Sequence, residues 1–256
     1  MKNFLLIVEG IKTEPTIFET IFTDLGYKVI IKGERLNLSS EFKDLAKKTL
    51  GTKKDNVVII QGPKNRINEL ITLFEDSTND INRIFDDFKV LFSGIFWIYD
   101  VDHTSNESLI KMFNRYQSET EGMLLVSSPC IEVLAIPNFN EEVILEHLKQ
   151  FKSIANILCE KNYKCNAREH IIKNFYNLAV IVLDKNVNDF NEENILEHPN
   201  LVINKINKEN KRTSKTVVYR YYTTVIYVAV AYILGLTKEI NNYKVVRRYF
   251  IRKGRK

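Results

Sequence analysis

Five short apolar runs in the first half of the chain restrict the fold most. They are Phe4–Val8, Tyr27–Ile31, Val57–Ile60, Ile95–Tyr99 and Met123–Val126. Runs this short, rich in Val, Ile and aromatic residues and bounded by turn-forming residues, read as buried strands rather than helix segments. Gly10 closes the first, Gly62-Pro63 the third and Ser127-Ser128-Pro129 the fifth. Stretches of helical period lie between them. Thr13 begins one, with Thr13 as a candidate cap, Pro15 in its first turn, an apolar face of Ile17, Phe18, Ile21, Phe22 and Leu25, and Gly26 as its stop. Others run from about Ser40 to Leu50, from Asn65 to about Phe92, and from Ser105 or Asn106 to about Glu121. The alternation predicts an α/β fold, a mainly parallel sheet flanked by helices.

The second half reads as mostly helical. Glu141–Cys159, Ala167–Leu183 and Thr216–Leu236 have helical periodicity, although the Val and Ile of the last leave strand pairing open. Asp184–Asn194 is a polar, Asn-rich linker. The expected division is therefore an α/β domain over residues 1–138 and a helical, C-terminally basic region over 139–256. The apolar run Thr223–Leu236 falls short of the roughly 20 residues a membrane helix needs, so no membrane segment is expected. Val225–Leu236 is apolar nearly all round, which fits a buried helix or a dimer interface. Cys130, Cys159 and Cys165 match no zinc spacing and, without a signal peptide, argue for a reduced, cytoplasmic setting.

Charge is unevenly distributed. Residues 205–256 carry 14 basic and two acidic side chains, whereas the first 204 residues carry 23 basic and 30 acidic. A tail this basic suits a polyanion. Tyr219, Tyr221, Tyr222, Tyr243, Tyr249 and Phe250 lie among the cations, where they can stack on bases. A solvated basic surface is the plainer alternative.

In an open α/β sheet, ligands bind where the carboxyl ends of strands open into loops. Two such loops carry acids. Glu9 directly follows the first strand, in Glu9-Gly10-Ile11-Lys12-Thr13-Glu14-Pro15, and Asp100 and Asp102 follow the fourth, in Tyr99-Asp100-Val101-Asp102-His103. Clustered carboxylates repel one another unless a cation neutralises them, and hard oxygen ligands suit Mg²⁺ or Mn²⁺. Taken singly, a Glu-Gly after a strand is an ordinary turn and an Asp-x-Asp an ordinary loop cap. Their pairing at strand ends of one α/β pattern points to metal-assisted phosphate chemistry. Lys12 reads as a phosphate contact or a surface lysine, and His103 as a partner of a metal ligand or a solvent-exposed side chain.

Glu9-Gly10-x-x-Thr13-Glu14-Pro15, Asp100-x-Asp102 and Ser127-Ser128-Pro129-Cys130-x-Glu132 occur in that order within residues 3–136. The set resembles the RloB family of prokaryotic defence proteins and is similar, more distantly, to the nuclease domain of OLD-family proteins. Both resemble the wider Toprim group. The resemblance implies a Toprim-like sheet for residues 1–138. It implies that Glu9 is the Toprim glutamate, a metal ligand or general acid/base, and that Asp100 and Asp102 are the metal pair. By the same resemblance Glu14 is the second acid of the first motif, and Glu132 is the acid after the Pro-Cys turn, serving a second metal. From the residues alone, Glu14 and Glu132 also read as first-turn acids complementing a helix dipole, and Cys130 as a small buried side chain. Position 104 is Thr, where many Toprim enzymes carry a further acid, which weakens a topoisomerase reading.

The expectation is a metal-dependent endonuclease that cuts DNA or RNA, tRNA included, as an effector of anti-phage defence. Glu9, Asp100, Asp102, Glu14 and Glu132 are its candidate catalytic residues, the first three holding Mg²⁺ or Mn²⁺. Lys12, Lys211, Arg212, Lys215, Arg220, Arg247, Arg248 and Arg252 are its candidate nucleic-acid contacts. The resemblance implies an ABC-type ATPase partner encoded nearby, and the chain carries no phosphate-binding Gly-x-x-x-x-Gly-Lys-Ser/Thr loop of its own. The alternative is a non-catalytic subunit that binds a partner or forms a homodimer through the tail and the Thr223–Leu236 stretch. A primase-like nucleotidyl transferase is a third reading, with neither a zinc ribbon nor a second catalytic module visible.

Overall fold

The structure, a computed structural model, describes residues 3–10, 12–32, 56–61, 92–101, 105–115, 117–118, 122–137, 142–160, 164–185, 204, 206, 211–212, 217–220, 222–223 and 251–252. The chain divides into two compact units, Met1–Tyr99 with Thr104–Leu124, and Asp100–His103 with Leu125–Lys256. The expected helices over Ser40–Leu50 and Asn65–Phe92 and the linker Asp184–Asn194 lie outside the described residues, apart from Asp184 and Lys185 of the linker and Phe92 at the end of the second helix.

The fold is α/β. Strands β1 (Asn3–Val8), β2 (Lys28–Lys32), β3 (Asn56–Gln61) and β4 (Gly94–Asp100) are followed by β5 (Gln117–Ser118) and β6 (Gly122–Ser128). Five of them form a parallel sheet in the order β2-β3-β1-β4-β6. Strand β1 is central and lies between two neighbours, with Leu6 opposite both Ile59 and Phe96. A strand covered on both faces needs apolar residues at every position instead of alternate ones. Accordingly Phe4, Leu5, Leu6, Ile7 and Val8 are all buried, as are Val57–Ile60 and Ile95–Ile98 on either side. Register is pinned at the start by side chains, since the Asn56 amide donates to the Asn3 amide oxygen at 3.1 Å.

Helix α1 (Thr13–Asp24) buries Ile17, Phe18, Ile21 and Phe22. Thr13 is its first helical residue, and Lys12 occupies the cap position without a side-chain cap. The helix ends in two reversed hydrogen bonds, Gly26 N–H to the Thr23 carbonyl at 3.1 Å and Tyr27 N–H to the Phe22 carbonyl at 2.9 Å. Gly26 takes φ +93° to make them. The Phe22 and Tyr27 rings then meet edge-on at 6.0 Å, which seals the turn into β2.

Helix α2 (Asn106–Arg115) is capped by Ser105, whose hydroxyl accepts the Ser108 N–H at 3.2 Å. It stops well before Glu121, because Gln117 and Ser118 pair antiparallel with Met123 and Gly122. Backbone pairing there replaces the helical bonds that the periodicity predicted.

In the second unit a 3-10 helix (Ile131–Ala135) follows β6, and Ile131, Val133, Leu134 and Ala135 are fully buried. After β7 (Glu142–Ile144) come helices α3 (Leu145–Cys159) and α4 (Lys164–Lys185). Both pack on the 3-10 helix. Residues 142–144, expected to be helical, are instead a strand. They pair with β9 (Val217–Arg220), which also pairs with β8 (Lys211–Arg212). Tyr222 and Thr223 form β10, antiparallel to Ser128 and Ser127. The expected helix from Thr216 therefore begins as strand, since β-branched Val143, Ile144, Val217 and Val218 favour a pleated surface. The stretch 224–236 lies outside the described residues. Among the described residues no helix is long and apolar enough to cross a membrane.

Gly122 adopts φ +109°, and a Cβ there would lie 2.5 Å from Trp97 Nε1. Gly26 is also left-handed, but its Cβ would meet nothing. Gly26→Ala should therefore cost only the backbone term, about 1–2 kcal/mol. Gly122→Ala should cost about 2–5 kcal/mol, because indole displacement adds to it. Urea denaturation of the two variants measures the difference; equal costs would mean that the indole does not crowd this position.

Candidate functional site

In the first unit, Glu9 follows β1 directly and is exposed. The loop then closes on itself. The Gly10 N–H donates to Glu14 Oε2 at 2.9 Å, and the Thr16 N–H and hydroxyl both donate to the Lys12 carbonyl, at 3.1 and 2.8 Å. Glu14 is buried, 6% exposed, and lies over Gly10, where a Cβ would sit 3.2 Å from its Cδ. A side chain at Gly10 would crowd the Glu14 carboxyl group, which would have to give by a few tenths of an ångström. The carboxylate anchors the loop that presents Glu9, and Lys12 is exposed on the same loop.

In the second unit, the chain leaves β4 at Asp100, which is 6% exposed. Asp100 Oδ1 accepts the Ile131 N–H at 2.9 Å in a buried setting, and the Val101 N–H donates to the Ser127 carbonyl at 2.9 Å. These bonds join the end of β4 and the residue after it to the end of β6 and the segment that follows. The Ser128–Pro129 bond is cis, and Cys130 is extended before the 3-10 helix begins. Cys130 is fully buried and Glu132, in the first turn of that helix, is 9% exposed. Ligand atoms of Asp100, Cys130 and Glu132 all lie within 4.8 Å of one another. Glu132 Oε2 has no hydrogen-bond partner among the described residues.

Helix α4 supports this arrangement from behind. Asn174, 4% exposed, donates both amide hydrogens, to the carbonyls of Leu134 and Ile136, each at 2.9 Å. That satisfies two carbonyls at the end of the 3-10 helix and fixes the segment carrying Glu132.

The electrostatics follow from burial. Burial pushes the Cys130 thiol far up, the Glu132 and Asp100 carboxylates push it further, and Lys152 on α3 pulls weakly the other way. The thiol donates a hydrogen bond to Glu132. Burial and the charge of Glu132 push Cys159 up to about 11. Both thiols are protonated at neutral pH, and the negative field of Glu132 reaches both.

Of the acids singled out in the sequence, Asp100 and Glu132 come together in the second unit; in the first, Glu9 lies in the loop after β1 and Glu14 in the first turn of α1. Asp102 and His103 lie outside the described residues, as do Lys215, Arg247 and Arg248. Lys211 and Arg212 form β8, Arg220 ends β9, and Arg252 is exposed. Two residues escaped the sequence reading. Cys130, read as a small buried side chain and buried indeed, also lies beside the two acids. Asn174 carried a usable signal, a polar residue on a helix face otherwise made of Ile171, Phe175 and Leu178, because a buried amide demands partners.

No family model, curated protein or solved structure matches the chain.

Removing the Asp100 side chain leaves a buried N–H unsatisfied. Asp100→Ala should lower stability by about 1–3 kcal/mol, whereas Asp100→Asn, which keeps an acceptor, should lose less. Chemical denaturation of both variants at neutral pH tests this ordering. The thiols make a second prediction. Their ordinary ionisation lies near 9.0 and both are raised in the fold, so the folded chain keeps protons that the unfolded chain releases. Stability should be unaffected by them below about pH 9 and fall above it, each thiol shifting the equilibrium up to about tenfold per pH unit. For Cys159 the fall levels off near 11. A Cys130→Ala/Cys159→Ala protein should show a shallower alkaline slope in denaturation midpoints; an identical slope would contradict the assignment.

Proposed function

We propose that this chain is a Toprim-type, Mg²⁺-dependent nuclease that cleaves phosphodiester bonds in DNA or RNA, tRNA among the candidate substrates, as the effector of an anti-phage defence system. The observation that carries the reading is the pair of nine-tenths-buried carboxylates, Asp100 and Glu132, where β4 and β6 leave the sheet. Buried acids this close are tolerable when a cation shares their charge.

In this reading Asp100 and Asp102 hold the ion, with Glu132 beside Asp100, and Glu9 is the further metal-binding acid that the motif order implies. When bound, Mg²⁺ would neutralise charge on the scissile phosphate and favour attack by water. Glu14 keeps the Gly10 turn closed so that Glu9 stays at the strand end. Asn174 and the Asp100–Ile131 hydrogen bond hold the acid-bearing segment. Lys12 and the basic residues Lys211, Arg212, Lys215, Arg220, Arg247, Arg248 and Arg252 supply cations for the phosphate backbone. An ABC-type ATPase supplied by another chain completes the proposal.

Purified protein incubated with plasmid, single-stranded DNA and tRNA should cleave at least one of them with Mg²⁺ and none with EDTA. Glu9→Gln and Asp100→Asn should each reduce cleavage by about a hundredfold or more, the scale of losing a group that stabilises transition-state charge. Wild-type rates in both variants would remove these residues from the reaction. No cleavage of any substrate, with or without the ATPase, would overturn the proposal.

A further inference from the structure

We propose that Asp100, Cys130 and Glu132 form a binding site for a thiophilic divalent cation, of which Zn²⁺ is the type, with Cys130 Sγ as a direct ligand. The inference stands on the second unit alone and needs no nuclease activity.

The donor set is the first argument. Two carboxylates and one sulfur, contributed from the end of β4 and from the Cys130–Glu132 segment, give three protein ligands. Mg²⁺ prefers an all-oxygen octahedron and gains nothing from sulfur. Zn²⁺ takes Cys, Asp and Glu ligands in a tetrahedron, and three protein ligands leave one position for water. With Zn–S near 2.3 Å and Zn–O about 2.0–2.2 Å, such ligand atoms lie roughly 3.3–3.8 Å apart. The three side chains, whose ligand atoms are within 4.8 Å of one another, need to close by at most about 1–1.5 Å, within the reach of side-chain rotation.

The second argument is independent of the cluster. Glu132 is 9% exposed, and its Oε2 has no hydrogen-bond partner among the described residues. A carboxyl oxygen buried in that state loses hydration without replacement. A cation coordinated by that oxygen supplies what hydrogen bonds do not. The supports are rigid where they matter: Ile131 N–H orients Asp100, and Asn174 fixes the far end of the segment that carries Glu132. Binding breaks the Cys130 S–H bond, forms an S–metal bond and releases the proton to solvent. The thiol's hydrogen bond to Glu132 is exchanged for a shared ion.

Cobalt tests the site, because Co²⁺ replaces Zn²⁺ and a thiolate ligand gives it a near-ultraviolet charge-transfer band. The full chain, stripped of metal, is titrated with Co²⁺. The band should saturate at an equimolar ratio, disappear on adding equimolar Zn²⁺ and survive a large excess of Mg²⁺. Cys159→Ser/Cys165→Ser protein, in which Cys130 is the only thiol left, should keep the band. Glu132→Gln should weaken Co²⁺ binding about tenfold or more, with circular dichroism confirming the fold. No band in the wild-type chain, or none in the Cys159→Ser/Cys165→Ser protein, overturns the proposal, and neither result depends on how Cys130→Ser folds. Cleavage without a band would leave the nuclease reading standing and reject this site; a band without cleavage would do the reverse.

Discussion

The hydrogen bond from the Ile131 amide to Asp100 Oδ1, 2.9 Å long and shielded from water, is the contact on which the candidate site depends. It joins the residue that ends β4 to the first residue of the 3-10 helix, 31 positions later in the chain. Hydrogen bonds to a carboxylate are stronger than neutral ones, and the low dielectric of a buried site strengthens them further. An aspartate there is more than a potential ligand, because it also determines where the following segment begins. Cys130 and Glu132 lie one residue either side of the donor, so the bond that orients Asp100 also brings the other two groups to it.

Packing makes that arrangement rigid. The 3-10 helix is short and buries nearly every side chain, so its carbonyls must find partners inside the protein. Asn174 supplies two of them from one amide. Among the described residues, the buried Glu132 side chain keeps one oxygen, Oε2, without a hydrogen-bond partner. The same carboxylate raises the proton affinity of both Cys130 and Cys159. After burial itself, this one carboxylate is the influence that the two thiols share.

Much of the sheet was legible because its strands are covered on both faces and must be apolar throughout. The edges of those strands were less so. Asn56, Gln61, Ser127 and Ser128 extend β3 and β6 beyond the apolar runs, because ladder hydrogen bonds use the backbone and ignore hydropathy. The end of α2 was hidden for the same reason, with Gln117 and Ser118 recruited by a neighbouring strand. At the site, Asp100 and Glu132 were visible as acids after strands. Cys130 was not, since a mixed oxygen and sulfur set has no fixed spacing in sequence. Asn174 lies about 40 residues from the carbonyls it serves, a separation that only the packing of α4 reveals.

The loop after β1 carries a different kind of consequence. Gly10 and Glu14 lie against one another, the glycine lacking the carbon that would crowd the glutamate's carboxyl group. The two positions are therefore not free to drift separately over evolutionary time. A homologue bearing alanine at the first should be found with a shorter acid or a different anchor at the second, so paired substitution across many genomes would record the same steric bargain that one molecule displays.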